Sequence, residues 1–413
     1  MKKAMSGFDI RAMARELDTM KGAYVKKAYM PHYEQIVLRI NPKGGEQRDL
    51  VFVRGERIYT SQRDRPMPMT PPPFAMVLRK HLRNARLTGV EQVGFDRVLA
   101  FSFDTKDGER TLYVEVFRDG NIILVDQDGV IVQPLTHASY AGRTLKKGVE
   151  YTPPPPAANP YNLSEADLAS ILNESDRDLV STLGGKINLG ATHANAVCSL
   201  AGLEPNSAPS DADHAGVFDA LQSLLKALEE TQESHLILRF GDDDGDDWKT
   251  KLDAMDASHQ EKWLSERAVE ATPILLPQHA DMPYASYSSL CECIDVWKGS
   301  HDAHALQRRE EERFEQAGPG RGQSTEVERL ERRKAQQEKA LEGFSVKIEK
   351  QQRLGHAIQE HWSHVEGLLQ QTNEAVERDG WKTVKKAVKD IPWITAVSPA
   401  EREITVHLPD EEG

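Results

Sequence analysis

The stretch PPPFAMVLRKHLRNARLTGVEQVGFDRVLAFSF, residues 71–103, decides how the N-terminal part of this chain folds. Its pattern predicts a helix that carries Arg79 and Lys80. Two short strands follow, with Asp96 and Arg97 at the turn between them. Clustered cations suit a phosphate backbone, because bound Lys and Arg displace its condensed counterions. A guanidinium beside a carboxylate can bind a ribose or a base edge, although such a pair alone is usually a surface salt bridge that contributes little.

Strand patterns extend on both sides of this stretch. Alternating residues precede it in YVKKAYM, QIVLRI, DLVFV and ERIYT, and they continue after it in RTLYVEVF, NIILVD and VIVQPL. Turns rich in Gly, Asp and Asn separate these runs, so we predict antiparallel pairing. An amphipathic helix precedes the first strand and begins at Ser6, a good N-cap residue. The sequence therefore predicts an α+β domain with a mainly antiparallel sheet over residues 1–156, ending in a run of prolines.

The rest of the chain predicts mainly helices. Short helices around a glycine-bounded turn fit a helix-hairpin-helix domain, and they also fit an ordinary αα corner. We assign residues 157–290 to this domain and to an acidic helical linker. From Val327 onwards, apolar residues recur at alternating spacings of three and four, which predicts a long coiled-coil arm over residues 291–378. We assign residues 379–413 to a partial coiled-coil tip.

Composition limits the classes of protein to which the chain can belong. It is too long for one core, and no apolar run approaches the ~20 residues of a membrane span. The N-terminus lacks the apolar segment of a secretion signal. Its 3 cysteines provide neither a disulfide framework nor paired zinc ligands. We therefore expect a cytoplasmic protein with no metal, no cofactor and no membrane partner.

Charge is distributed unevenly over a chain whose formal net charge is −13. Residues 1–150 have a net charge of +7, residues 151–290 of −15 and residues 291–413 of −5. A basic N-terminal domain on an acidic body is typical of a local nucleic-acid footprint. A solvated surface with an uneven charge pattern explains the charges alone equally well.

Several stretches, in the same order along the chain, resemble the NFACT family. They are GFDIRAMARELD, PPPFAMVLRKHL with VEQVGFDRVLAFSF, YVEVFRDGNIILVD, LKKGVEYTPPPP and YSSLCECIDVWKGS. The resemblance covers essentially the whole chain and identifies it as an archaeal-type, C-terminally truncated member. The family comprises RqcH- and NEMF-like ribosome quality control proteins, formerly described as fibronectin-binding protein A-like. The resemblance implies an NFACT-N domain with a glycosylase-like arrangement, a helix-hairpin-helix domain and the outgoing arm of a long coiled coil.

The resemblance also implies a function. Members of the family bind a large ribosomal subunit obstructed by a peptidyl-tRNA and recruit tRNA to add a C-terminal tail to the stalled chain without mRNA. A ubiquitin-ligase-like or other quality-control factor is implied as a partner of the coiled coil. The family motifs and the basic helix indicate these tRNA-binding residues: Asp9, Arg79, Lys80, Asp96, Arg97, Glu115, Val116, Phe117 and Asn121.

Other classes of function stay open at this point. A scaffold that binds nucleic acid without tailing activity would have the same charges and domains. A DNA glycosylase-like enzyme would need an N-terminal proline amine and a neighbouring glutamate for Schiff-base chemistry, whereas this chain begins with Met1 and Lys2. An adhesin would need a secretion signal or a surface anchor. No GxSxG, P-loop or HExxH signature occurs, so we expect no catalytic residues and no enzyme in the usual sense.

Overall fold

A computed structural model of the chain describes residues 4–407 with gaps at residues 118, 141, 156–157, 242–243, 246, 317–325, 389–390, 392 and 400–401. The chain forms two compact units, Met1–Gln316 and Ala317–Gly413. Part of the predicted acidic linker and the last residues of the predicted tip lie outside the described residues.

The first unit begins with a helix and a large sheet. In chain order its elements are α1 (Gly7–Asp18), β1 (Tyr24–His32), β2 (Gln35–Asn41), β3 (Arg48–Val53), β4 (Arg57–Ser61), α2 (Pro73–Leu82), β5 (Arg86–Gln92), β6 (Val98–Thr105), β7 (Gly108–Glu115), β8 (Asn121–Asp126), β9 (Ile131–Pro134), β10 (Ala138–Tyr140) and β11 (Arg143–Leu145). Nine strands form one sheet in the order β4-β3-β2-β1-β5-β6-β7-β8-β9, and all its neighbours are antiparallel. The predicted antiparallel sheet is confirmed.

Two phenylalanines show that this sheet folds over on itself. Phe52 lies on β3 and Phe101 on β6, with three other strands between them in the sheet, yet their ring centroids are 5.3 Å apart, edge to face. Both side chains are fully buried in one core that also contains residues of α1, α2 and the strands on either side. The sheet therefore encloses its own apolar face, and turns that are distant along the sheet come close together.

The second part of the first unit is helical with one small sheet. Its elements are α3 (Glu165–Asn173), α4 (Leu179–Lys186), α5 (Gly190–Leu200), α6 (His214–Glu230), β12 (Ser234–Leu238), α7 (Trp248–Asp253), α8 (Ala257–Arg267), β13 (Ala268–Thr272), β14 (Tyr284–Tyr287), α9 (Leu290–Ile294), a π-helix (Asp295–Gly299), α10 (Ser300–Ala303) and α11 (Ala305–Gln316). Short 3₁₀ helices cover Pro160–Asn162, Pro209–Asp211 and Pro277–His279. Helices α3 to α6 enclose a second core.

The three-stranded antiparallel sheet β13-β12-β14 lies in the region that the sequence analysis assigned to helices. Leu236 and Leu238 of β12 are fully buried in the core of the large sheet. Leu290 and Ile294 of α9 belong to the same core, and Glu16 of α1 accepts hydrogen bonds from the first backbone N–H groups of that helix. Residues 291–316, which the sequence analysis placed in the arm, therefore pack with the first unit.

The second unit consists of α12 (Glu326–Glu360), α13 (Trp362–Asp379), α14 (Trp381–Ala387) and the hairpin of β15 (Ile394–Ser398) and β16 (Glu403–Val406). The helix that we predicted as one continuous arm is interrupted at His361, where φ is −101° and ψ is 18°. Seam residues such as Leu341 and Ile348 are 65% and 56% exposed, so the pairing of this helix into a coiled coil stays a prediction. In the described part of the chain, no helix is both long and apolar enough to cross a membrane.

Candidate nucleic-acid interface

The turn between β5 and β6 is fixed by four hydrogen bonds. The Asp96 carboxylate accepts from the backbone N–H of Arg97 at 2.7 Å, and the Asp96 N–H donates to Val93 O at 3.2 Å. The Gln92 amide donates to Asp96 O at 2.9 Å, and Val116 N–H donates to Arg97 O at 2.7 Å. The Asp96 carboxylate thus accepts from the backbone of its neighbour, and both residues line the cleft that the turn borders.

That cleft has a volume of about 510 Å³ and brings together residues that are far apart in the sequence. Asp96 and Arg97 come from the β5–β6 turn, Glu115 and Phe117 from the end of β7, and Tyr140 and Arg143 from the β10–β11 hairpin. We refer to it as the Asp96 cleft. Its walls combine cations, carboxylates and aromatic rings.

A buried ion pair forms the floor of the Asp96 cleft. Arg143 donates to both oxygens of Glu115, at 2.6 and 2.9 Å, and the two side chains are 6% and 1% exposed. Burial lowers the pKa of Arg143, but the hydrogen bonds and charge of Glu115 outweigh it and raise that pKa above its ordinary value. The Tyr151 hydroxyl donates to Glu115 at 3.1 Å, and burial together with the Glu115 charge raises the pKa of Tyr151.

The same guanidinium orders the two aromatic rings of the cleft. Arg143 Cζ lies 5.8 Å from the ring centroid of Phe117 and 5.1 Å from that of Tyr140. Cation–π contacts of this kind contribute about 0.5–1 kcal/mol at exposed sites. Arg143 therefore connects the carboxylate at the floor of the cleft to the rings on its wall.

The turn after β7 needs a glycine at position 120. Gly120 has φ +60°, and a Cβ there would collide with the backbone of Gly55 in the β3–β4 turn. Arg54 Nε donates to Gly120 O at 3.1 Å, so a hydrogen bond joins the two turns. This close approach is possible because the sheet folds over, and it holds the turn that carries Phe117.

The helical hairpin supports the cleft from the other side. Between α4 and α5, Asn188 has φ +65°, and its amide donates to Phe95 O at 2.9 Å, next to Asp96. Phe95 and Phe8 belong to the core of the helical part, and Phe8 stacks on His193 of α5 with centroids 3.8 Å apart. The Asp96 turn is therefore held between the sheet and the hairpin.

Several predicted site residues are buried where we expected an exposed acceptor or contact. Asp9 is 1% exposed and forms a capping box, because its carboxylate accepts from the Ser6 backbone N–H at 2.6 Å and from the Ser6 hydroxyl at 2.7 Å. Val116 is fully buried in the core of the sheet. Asn121 is 1% exposed and joins its strand to Thr136, through an amide that donates to Thr136 O at 2.8 Å. Contact of these three side chains with RNA stays a prediction, and the structure gives each a supporting position.

Arg79 and Lys80 do not line the Asp96 cleft. Arg79 lies on α2 and donates from Nε to Ala28 O of β1 at 2.7 Å, while its Cζ lies 5.2 Å from the Tyr29 ring. Lys80 is exposed on the same helix. These two cations therefore belong to another part of the surface.

Sequence reasoning missed Tyr140, Arg143 and Asn188. The short strands β10 and β11 carry no clear alternation, so nothing in the sequence directs Arg143 to Glu115. An Asn followed closely by Gly at a helix-to-helix turn does suggest a left-handed residue at position 188. Its contact with Phe95 depends on the tertiary fold.

Comparison with known proteins matches residues 6–385 to the family described as NFACT N-terminal and middle domains. The archaeal Rqc2 homolog aRqcH of Methanocaldococcus jannaschii is 26% identical over 94% of this chain and 55% of its own length. Human ribosome quality control complex subunit NEMF is 34% identical over 33% of this chain and 12% of its own length. The chain thus spans about half the length of its archaeal relative and a smaller part of the human one.

Solved structures agree on the fold. The N-terminal part of the fibronectin/fibrinogen-binding protein of Streptococcus suis superposes with a TM-score of 0.53 at 21% identity, over 72% of this chain and all of that chain. The fibrinogen binding protein of Staphylococcus aureus gives the same TM-score at 19% identity, over 70% of this chain and 97% of that chain. Because the family match extends from residue 6 to residue 385, this chain belongs to the NFACT family.

Proposed function

We propose that this chain is a tRNA- and large-ribosomal-subunit-binding component of ribosome-associated quality control. In this role it recruits tRNA for the mRNA-independent tailing of stalled nascent chains in the cytoplasm. The observation that carries the proposal is the Asp96 cleft, where a turn bearing Asp96 and Arg97 faces the Phe117, Tyr140 and Arg143 cluster. Relatives that are named as quality-control factors support it, among them the archaeal aRqcH and human NEMF.

The chemistry of the cleft suits a single-stranded loop of RNA. Unpaired bases are recognised by stacking on aromatic rings or guanidinium planes and by hydrogen bonds to their edges. Phe117 and Tyr140 offer the rings, and Arg97 offers guanidinium donors for a phosphate or a base. Asp96 is the acceptor for a ribose hydroxyl or a base amino group, because a carboxylate repels phosphate and has value in an RNA site only as a specific acceptor.

The buried residues take supporting roles in this proposal. Glu115 holds Arg143, Asn121 and Val116 hold the turn after β7, and Asp9 caps α1. The reaction itself belongs to the ribosome, so the chain acts by binding and positioning and needs no nucleophile. The arm of the second unit is proposed to bind another quality-control factor.

The test is crosslinking and sequencing of RNA bound to the full chain in the cells it comes from. Wild type is compared with the Asp96→Ala/Arg97→Ala variant. The matched control is Arg86→Ala/Asp104→Ala, which removes an exposed ion pair of 3.2 Å at the other end of the same two strands. We expect a narrow set of tRNAs together with large-subunit rRNA, and selective loss of the tRNA in the first variant alone.

Two results would reject this function. Recovery of no tRNA above background by the wild type would leave a scaffold with another ligand. Equal recovery from all three proteins would reduce Asp96 and Arg97 to a structural turn.

A further inference from the structure

We infer that a second RNA contact lies on the outer surface of β1, β2 and α2 and holds a phosphate backbone without reading its sequence. This Tyr29 patch consists of the Tyr29 ring, the three cations that contact it, Lys27, Arg39 and Arg79, and two exposed lysines next to them in the sequence, Lys26 and Lys80. The inference rests on the proposed function in one respect, namely that the ligand is RNA.

The Tyr29 ring fixes three cations in one place. Lys27 Nζ lies 5.3 Å from its centroid, and the Cζ atoms of Arg39 and Arg79 each lie 5.2 Å from it. Three like charges around one ring repel one another, and the attraction of each to the ring offsets part of that repulsion. The patch therefore presents its charge at defined positions before any ligand arrives.

Hydrogen bonds orient both guanidinium groups further. Arg39 donates from Nε and Nη2 to the Asp49 carboxylate, at 2.8 and 3.1 Å, and Asp49 is buried beneath it. Arg79 uses Nε for Ala28 O, and its two terminal amino groups donate to no other atom of the described residues. A planar fork of this kind fits the paired oxygens of a phosphate.

A β-bulge adds two lysines to the patch. In the pairing of β1 with β2, Val25 lies opposite Ile40 and Lys27 opposite Arg39, so Lys26 is the extra residue. A bulge places two consecutive residues against one partner residue and bends the strand outward. Lys26 and Lys27 are consequently both exposed, where regular alternation would have turned one of them inward.

Four of the five cations of the patch have no counterion among the residues that the structure describes, and Arg39 alone is paired, with Asp49. In the described ranges, no carboxylate lies within ion-pair distance of Lys26, Lys27, Arg79 or Lys80. Asp49 is shared between Arg39 and the buried Arg65, and Asp64 also acts on Arg39 through its charge. Cations outnumber acids here, so the patch attracts a polyanion. Binding then releases the counterions that are condensed on that polyanion.

RNA fits the patch better than an acidic protein does. Protein interfaces have an apolar centre that is buried on binding, with charges at the rim. In the Tyr29 patch three cations already contact the aromatic ring, which leaves less of it to form such a centre. Cations grouped in this way suit a phosphodiester backbone.

The patch shares no lining residue with the Asp96 cleft. Tyr24 of β1 pairs with Arg86 at the beginning of β5, and the Asp96 turn follows the other end of β5. The strand of 7 residues spans about 20 Å, and β1 runs on from Tyr24 in the opposite direction to the cleft. A single RNA of tRNA size can touch both places, so the patch adds affinity while the cleft supplies selectivity.

The test measures dissociation constants of the full chain for pooled tRNA and for an unrelated RNA hairpin over a range of salt concentrations. Lys26→Ala/Lys27→Ala is compared with Lys226→Ala/Lys262→Ala, which removes the same charge from two lysines that are 72% and 75% exposed elsewhere. We expect the first variant to bind both RNAs about tenfold more weakly at low salt. The logarithm of its association constant should also depend less steeply on the logarithm of the salt concentration, with a slope smaller in magnitude by about 1–2. The control should match wild type.

A Tyr29→Leu variant tests whether RNA binding depends on the fixed positions of the cations as well as on their charge. It keeps every cation but removes the ring, so we expect severalfold weaker binding of both RNAs with an unchanged salt slope. Equal affinities and slopes for Lys26→Ala/Lys27→Ala and its control would overturn the inference. So would weakened binding of polyglutamate with RNA binding intact, which would point to an acidic protein.

The Asp96→Ala/Arg97→Ala variant keeps the two proposals apart. If it loses the preference for tRNA while the lysine variant and its control bind RNA equally, the proposed function is supported and the inference on the Tyr29 patch is rejected. If the lysine variant binds both RNAs more weakly while the Asp96 variant keeps the wild-type preference, the inference is supported and the selective role of the cleft is rejected.

Discussion

Glu115 and Arg143 form a bidentate ion pair, at 2.6 and 2.9 Å, between the end of β7 and the β10–β11 hairpin. The residues are 28 positions apart in the chain, and both side chains are almost fully buried. Arg143 also lies against Phe117 and Tyr140. The pair therefore connects the stability of the N-terminal domain to the shape of the Asp96 cleft.

Removing one partner of this pair should be costly. We expect Arg143→Met to lower the free energy of unfolding by about 3 kcal/mol, because it leaves the Glu115 carboxylate buried without its counterion. Urea unfolding followed by circular dichroism measures the loss. The double variant Glu115→Gln/Arg143→Met removes both charges and should recover part of it. If the single variant costs less than the double one, the pair is not a coupled buried unit.

Gly120 should tolerate no side chain. Gly120→Ala combines a φ of +60° with a collision against the Gly55 backbone, so we expect a loss of about 3 kcal/mol and weaker tRNA binding. Gly129→Ala is the matched control, since Gly129 has φ +79° but nothing within 4 Å of an added Cβ. It should cost about 1 kcal/mol through backbone strain alone. Equal losses in the two variants would show that the approach of the two turns contributes nothing.

The large sheet could be predicted because each of its strands carries its own signal. Alternation and turn residues mark β1 to β9 without any knowledge of tertiary contacts. The strand β12 could not be found in this way. Its sequence SHLIL is a short apolar run between a helix and an acidic stretch, and a buried helix segment would look the same.

The candidate site could likewise be predicted only in part from the sequence. The position of Asp96 and Arg97 on a strand-to-strand turn follows from local pattern. The grouping of Asp96, Arg97 and Glu115 came from the family resemblance, and Arg143 was missed because its partner is distant in the sequence. The supporting role of Asp9 could be predicted in part, because Ser6 and an acidic residue three positions later form a capping box.

Asp302 should make stability depend on pH in the acid range. It lies on α10, is 1% exposed, and accepts from Arg57 at 2.6 and 3.0 Å and from the Tyr59 hydroxyl at 2.8 Å. Burial alone would raise its pKa, but hydrogen bonds from His301 and Arg57 outweigh burial and hold that pKa well below its ordinary value.

The sign of this effect follows from linkage. A depressed pKa in the folded state stabilises the fold at pH values above the unfolded pKa of about 3.9, and this stability is lost as the pH falls below it. We expect the unfolding free energy of wild type to decline more steeply below about pH 4 than that of Asp302→Asn, a variant already destabilised at neutral pH by about 3 kcal/mol. Asp104→Asn, in an exposed pair, should behave like wild type. Parallel pH profiles for wild type and Asp302→Asn would contradict the assignment.

Asp9 distinguishes a carboxylate that contacts RNA from one that supports a helix. Its oxygen accepts from the Ser6 backbone and hydroxyl, and the residue is 1% exposed, so we expect it to act through α1. Ser6→Ala should lower the free energy of unfolding by about 1 kcal/mol, because the N-cap side chain is lost. Asp9→Asn keeps an acceptor for the Ser6 N–H and should therefore change the recovery of tRNA no more than Ser6→Ala does. If Asp9→Asn instead abolishes tRNA recovery while the unfolding free energy is unchanged, the carboxylate itself reaches the RNA, and α1 must open at its first turn when RNA binds.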